Sequence, residues 1–174
     1  MPNYISLLRG INVSGHKKIV MADLKALYEE LGFTNVQTYI QSGNVVFNSK
    51  ETNTKELEQL LFNAMKAHYG FDVPHLILTA AEIEEALANN PFQDIEKMYF
   101  TFLSEIPTAE NLALLKAFNF ENEFYEINGK LIYSHYPNGA GKAKLNNNFF
   151  EKKLRISATT RNLRTTKKIL EMAS

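Results

Sequence analysis

The feature that most constrains this chain is an order of apolar patterns that occurs once and then starts again. "NYISLLRGI" is an apolar run too short for a helix and bounded by Gly10, so it reads as a strand. "VMADLKALYEELGF" places Met21, Leu24, Leu27, Tyr28 and Leu31 at helical spacing, with Gly32 at the C-terminal cap and Phe33 as its apolar partner. "NVQTYIQSGNVVFNS" splits into two β runs at Ser42-Gly43-Asn44, which predicts a hairpin. "TKELEQLLFNAMKAHYG" is a second amphipathic helix ending at Gly70, and "VPHLILT" is a fourth strand. The order β-α-β-β-α-β is the split unit of ferredoxin-like folds.

After a connecting helix in "AAEIEEALANN" the order returns. "KMYFTFLS" is a strand, "TAENLALLKAF" a helix with Thr108 as N-cap, "NEFYEINGKLIYSHY" a hairpin marked by Asn128-Gly129, and "LNNNFFEKKL" the second helix. Where a fourth strand belongs, "RISATTRNLRTTKKILEMAS" reads as a terminal helix with Thr160 as N-cap and Leu163, Ile169, Leu170 and Ala173 as its apolar positions. The expectation is an α+β fold of two ferredoxin-like βαββα(β) halves in tandem, the second lacking its last strand and ending in a C-terminal helix. The halves cover residues 1–79 and 80–174, with no linker between them.

Composition narrows the function classes. No cysteine is present, which excludes disulfides, thiolate catalysis and cysteine-ligated zinc. "MPNYISLLRG" lacks a basic start and no run approaches the roughly 20 apolar residues that span a bilayer, so a cytoplasmic protein with no membrane partner is expected. The formal net charge of zero hides segregation: residues 1–20 carry +3, residues 51–133 carry −9 and residues 139–174 carry +7. Two basic ends of this kind suit an anionic partner if they form one surface.

In the split unit, strands one and two run in the same direction, so the loop after the first and the hairpin after the second leave the sheet at one end. Arg9, Asn12 and Lys17 should therefore neighbour Gln41, Ser42 and Asn44 on a shared rim.

"LLRGINVSGHKKIVMADLKALYEELGFTNVQTYIQSGNVVF" closely resembles the start of a bacterial family catalogued as domain of unknown function 1697. The likeness continues through "FDVPHLIL", "NNPF", "PNGAGKAKL" and "TTRNLRTTKKILEMA" and spans nearly the whole chain. It implies the paired ferredoxin-like fold and implies no activity. Carried over position by position, the polar signature of the family falls on Arg9, Asn12, Gln41, Ser42, Gly43 and Asn44, and then on Gly139, Gly141, Lys142, Lys144, Thr160, Arg161, Asn162 and Thr165. The family often has serine after the position of Lys142, and this chain has Ala143.

No catalytic motif is complete. "GAGKAKL" lacks the first glycine of a phosphate loop, where Tyr136 stands, and its Ser or Thr, where Ala143 stands. A simpler anion site at the start of "LNNNFFEKKL" and a plain flexible turn both fit it. The C-terminal segment resembles a helix-turn-helix only loosely, without the turn glycine. An RNA-recognition motif is disfavoured because "SGNVVFNS" offers only Phe47 for stacking. His16, His68, His75 and His135 stand far apart, and Ser42 sits on a hairpin tip, so neither a metal site nor a catalytic residue is expected.

The leading expectation is a binding module for a phosphate-bearing small molecule or nucleic acid, with no cofactor. Its ligand-binding residues would be Arg9, Asn12, Lys17, Gln41, Ser42, Asn44, Lys142, Lys144, Arg161 and Asn162, because guanidinium, ammonium and amide groups donate to phosphate oxygens. Two other readings stay open. One is an enzyme on a small anionic substrate with Arg9 and Lys142 as electrostatic stabilisers. The other is a purely structural role for the signature at the interface of the two halves.

Overall fold

Both faces of the first strand, β1 (Asn3–Leu8), are apolar, and that places it inside a sheet. Tyr4 and Leu8 join one core and Ile5 and Leu7 point the other way, all of them buried. The computed structural model describes residues 1–92 and 97–174, and in it β1 is a central strand. It pairs antiparallel with β3 (Asn44–Asn48) on one side and with β4 (His75–Thr79) on the other. Strand β2 (Thr34–Tyr39) closes the sheet as an edge beside β3, in the order β2-β3-β1-β4.

Helix α1 (Met21–Glu30) ends as its sequence suggests. Gly32 takes a φ of 92° and the Phe33 N–H reaches back to the Tyr28 carbonyl, which puts the Phe33 ring into the core. Helix α2 (Thr54–Tyr69) starts at Asn53, whose side chain accepts from the Lys55 and Glu56 amides, and stops at left-handed Gly70. The two helices and the sheet enclose Tyr28, Phe33 and Phe47, whose rings meet at centroid distances of 4.7 to 6.0 Å. The buried Tyr28 hydroxyl is satisfied by Ser6 Oγ at 2.9 Å.

The chain divides into two units, one of residues 1–84 with 168–174 and one of residues 85–167. The second unit repeats the topology of the first. After α3 (Ala80–Ala88) come β5 (Met98–Leu103), α4 (Ala109–Lys116), β6 (Phe124–Asn128), β7 (Leu131–His135), a 3-10 turn at Ala140–Lys142, α5 (Asn147–Leu154) and β8 (Ala158–Asn162). The sheet order is β6-β7-β5-β8, with every neighbour antiparallel. The ferredoxin-like reading therefore holds for both halves, and the second does not lack its last strand.

That missing strand is β8, and the physical reason it escapes a hydrophobicity reading is its composition. "ATTRN" has no large apolar residue, yet Thr159 and Arg161 are buried. The Thr160 hydroxyl meets that of Thr101 on β5 at 2.8 Å and donates to Asn147 Oδ1 at 2.8 Å, so polar pairing replaces apolar alternation. The cap of the terminal helix α6 (Leu163–Ala173) moves accordingly from Thr160 to Asn162, whose Oδ1 accepts from the Thr165 amide at 2.8 Å.

The β2–β3 turn contains the tightest backbone approach. Gly43 has a φ of 90°, and a Cβ placed there would lie 2.8 Å from Leu8 Cβ and from Ile11 Cδ1. Gly15 has a φ of 77°, but a Cβ there would meet only the end of the Lys18 side chain, at an ordinary 3.9 Å. Gly43→Ala is therefore expected to cost about 2–4 kcal/mol, from left-handed strain plus overpacking, against about 1 kcal/mol for Gly15→Ala. Urea unfolding of the two variants measures the difference.

Candidate functional site

The segment from Arg9 to Val20 joins β1 to α1 across the end of the first sheet. It is a miniature hairpin: Ser14 and Gly15 both take positive φ, the His16 amide donates to the Val13 carbonyl at 2.9 Å, and the Asn12 amide donates to the Lys17 carbonyl at 3.0 Å. Asn12 itself is left-handed, with a φ of 55°, which its short amide side chain tolerates.

The Asn12 side chain fastens this loop. Its Oδ1 accepts from the Ile19 amide at 2.8 Å, and its Nδ2 donates to the Ile19 carbonyl at 3.1 Å and to the Gln41 carbonyl at 2.9 Å. The first two bonds imitate a strand pair, and the third ties the loop to the β2–β3 turn. The Leu8 amide also donates to the Gly43 carbonyl at 2.8 Å. The loop after β1 and the hairpin after β2 thus meet on one rim, as the topology requires.

Within that rim most signature side chains hold the fold. Asn44 is fully buried and donates to the Tyr39 carbonyl at 2.9 Å and to Ser42 Oγ at 3.2 Å. Lys17 turns away from Gln41: its Nζ donates to the Asp72 carbonyl at 2.8 Å and lies over the Phe71 ring. Arg9 is half-buried, and its backbone amide donates to the Pro74 carbonyl at 2.9 Å. Gln41 and Ser42 remain exposed.

An open cavity of about 450 Å³ lies against this rim, lined by Asn12, Gly15, Lys18, Ile19, Val20, Met21 and Gln41. Val20 is the N-cap of α1 and provides no side-chain cap, so the first-turn amides of the helix lack the bond that Asn53 gives α2. The first-turn carboxylate, Asp23, is turned to His68 Nε2 at 3.0 Å, and its pKa lies below the ordinary range because of the Tyr69 hydroxyl and then His68. Lys18 was not among the expected ligand residues. Its signal was its place, two residues before the N-cap of an uncapped helix.

Below the rim, His75 opens β4. Its Nδ1 lies 3.2 Å from the Val73 carbonyl, which fixes the proton on that nitrogen, and its buried Nε2 has no hydrogen-bond partner among the described residues. Burial pushes its pKa down from 6.5, a shift only partly opposed by the Val73 carbonyl.

In the second unit, the expected anion loop is closed by the protein itself. Glu123 Oε1 accepts from the Lys144 amide at 2.8 Å and the Leu145 amide at 2.7 Å, and Asn146 caps α5 through the Phe149 amide at 3.0 Å. Nothing in the local sequence announces Glu123, which arrives from the α4–β6 connection. Lys142 is exposed on the 3-10 turn, and the Lys144 ammonium rests over the Phe120 ring. Arg161 is buried in β8, its guanidinium donates to the Thr160 carbonyl at 2.9 Å, and burial pulls its pKa down to about 10. Asn162 is the α6 cap. Among the described residues no cluster of three metal-ligating side chains occurs, and no helix is long and apolar enough to cross a membrane.

Comparison with known proteins adds family and fold. A family model described as "Protein of unknown function (DUF1697)" matches residues 1–133. The structure of the conserved bacterial protein SP0830 from Streptococcus pneumoniae is similar over 99% of each chain, with 28% identity and a TM-score of 0.78. No curated protein matches the chain.

Asn12→Ala should cost about 1–3 kcal/mol, since it strands the Ile19 amide and carbonyl. Asn12→Asp keeps the acceptor, loses both donors and should fall between. Chemical denaturation of the three proteins gives the ranking. For His75 the sign is set by its depressed folded pKa: the unfolded chain takes a proton near pH 6.5 and the folded one resists it, so stability falls as pH drops through 6.5. His75→Gln should flatten that part of the stability profile.

Proposed function

We propose that this chain, which belongs to the family of unknown function DUF1697, is a binding module whose first unit holds a small phosphate-bearing ligand on the rim between β1, α1 and the β2–β3 turn. The observation that carries the reading is the cavity of about 450 Å³ onto which the uncapped start of α1 opens, with Lys18 and Gln41 on its wall. Helix N-termini offer N–H groups and a partial positive charge of about half a unit, and an ammonium beside them adds a full one. Asn12 supports the site by position. Its donors are engaged, so it sets the distance between loop and hairpin and leaves the ligand contacts to Lys18, Gln41 and the α1 amides.

The cavity wall is mixed in character. Ile19, Val20 and Met21 line it, and Val13, Val20 and Ile40 are 57%, 69% and 46% exposed. Isolated exposed aliphatics are ordinary, but three on two short turns suit a ligand with an apolar organic part next to its phosphate. The basic residues of the second unit serve this reading less well: Arg161 is buried and the loop around Lys144 is filled by Glu123.

A thermal-shift series with inorganic phosphate, pyrophosphate, sugar phosphates and nucleoside phosphates tests the proposal. A compound present at 100 times its Kd adds about 2.7 kcal/mol to stability. The stabilising compound is expected to lose its effect on Lys18→Ala and to keep it on Lys142→Ala. No stabilisation by any of these compounds, or an equal effect on Lys18→Ala, contradicts the reading.

A further inference from the structure

The second unit carries a surface that the rim site does not use. Past the end of α4 the chain runs Phe118-Asn119-Phe120, and Phe149 of α5 lies against both rings. Phe149 stands almost perpendicular to each, at 86° and 78°, with centroids 5.4 and 5.5 Å away. Phe118 and Phe120 are in turn close to parallel, 22° apart in plane with centroids 6.5 Å apart. Phe120 and Phe149 are half-buried against the core of Leu115, Phe150 and Leu154, which fixes them. Phe118 is 37% exposed above that support.

Ammonium groups lie over the rings. Lys153 Nζ lies 4.2 Å from the Phe118 centroid and 5.6 Å from that of Phe149, and Lys144 Nζ lies 5.6 Å from that of Phe120. Exposed Lys116, Lys152 and Arg155 follow within a few residues of these rings in the chain. Two nearby carboxylates are occupied: Glu123 holds the Lys144 and Leu145 amides, and Glu151 Oε2 accepts from the Ala158 amide at 3.1 Å. Glu121 is the exposed acid beside the rings.

We propose that the rings of Phe118, Phe120 and Phe149, framed by Lys144 and Lys153, form a stacking platform for single-stranded nucleic acid. A base takes the place over Phe118 that the Lys153 ammonium holds in the free protein, and the displaced ammonium and Lys144 meet the flanking phosphates. Only unpaired strands expose base faces, and every base has one, so the contact is tolerant of sequence. Phe118 and Phe120 lie close to parallel with Phe149 edge-on against both, so their faces are held by packing instead of projecting, which suits a planar base better than insertion into lipid. The platform lies on the helical side of its sheet, against the α4 and α5 core, so it needs no stacking residues on the central strands.

The test is fluorescence anisotropy of the full chain with labelled oligothymidylate and oligouridylate of about 12 nucleotides. A duplex of equal length and heparin, a polyanion without bases, serve as comparisons. Affinity is expected to be higher for the single strands than for either comparison and to fall steeply with salt. Phe118→Leu keeps an apolar side chain and is expected to weaken binding about tenfold with little change in thermal stability. Lys153→Gln is expected to weaken binding and reduce the salt slope, while Lys50→Ala, an exposed lysine of the first unit outside both sites, changes nothing. Absence of binding at low salt, equal affinity for heparin, or unchanged binding by Phe118→Leu overturns the proposal. Partition onto phosphatidylserine vesicles without oligonucleotide binding overturns it in favour of a membrane surface.

Discussion

The rim of the first unit depends on the side-chain amide of Asn12. A long exposed connection between a strand and a helix has many conformations to lose, and each fixed residue costs about 1–2 kcal/mol of backbone entropy. Asn12 offsets this by using both donors and an acceptor on Ile19 and Gln41, so that one side chain holds the loop, the approach to α1 and the β2–β3 turn. Gly43 completes the arrangement from the other side, because with a φ of 90° any Cβ there would lie only 2.8 Å from Leu8 Cβ and Ile11 Cδ1. What remains outward from this fastening is Lys18, Gln41 and the bare start of α1.

The two units share more than strand order. In each, the edge strand beside the central one is shielded by a carboxylate from the second helix of the split unit. Glu58 of α2 accepts from the Ile77 amide of β4 at 3.1 Å, and Glu151 of α5 accepts from the Ala158 amide of β8 at 3.1 Å. An unpaired strand edge is a template for unwanted pairing, and a helix-borne acceptor occupies it. The same chemistry recurs in the Glu123 carboxylate on the Lys144 and Leu145 amides. Backbone amides near the surface are thus repeatedly answered by carboxylates of the chain itself, whereas the α1 start has no side-chain cap.

The order of elements and the meeting of loop and hairpin were legible because apolar period and glycine position encode them directly: Gly32, Gly43 and Gly70 all sit at left-handed turns where the patterns break. Strand β8 was not, since its buried Thr159 and Arg161 carry no hydrophobic signal and its partners Thr101 and Asn147 are distant in the chain. The signature residues were legible as a group, and their contacts were not. Asn44 and Arg161 are buried, Lys17 reaches Asp72, and Asn162 caps α6, and each of these facts depends on tertiary neighbours. Polar residue type in a short motif does not distinguish a side chain that grips a ligand from one that grips the backbone.

Amide hydrogen exchange measured by NMR on the native protein tests the central claim, that Asn12 holds the rim as a rigid unit. The Ile19 amide lies in an otherwise exposed loop, and its acceptor is the Asn12 side chain. The account predicts that it exchanges as slowly as amides in the first sheet, such as that of Leu8 bonded to Gly43. Exchange of Ile19 at the rate of an open loop would contradict it.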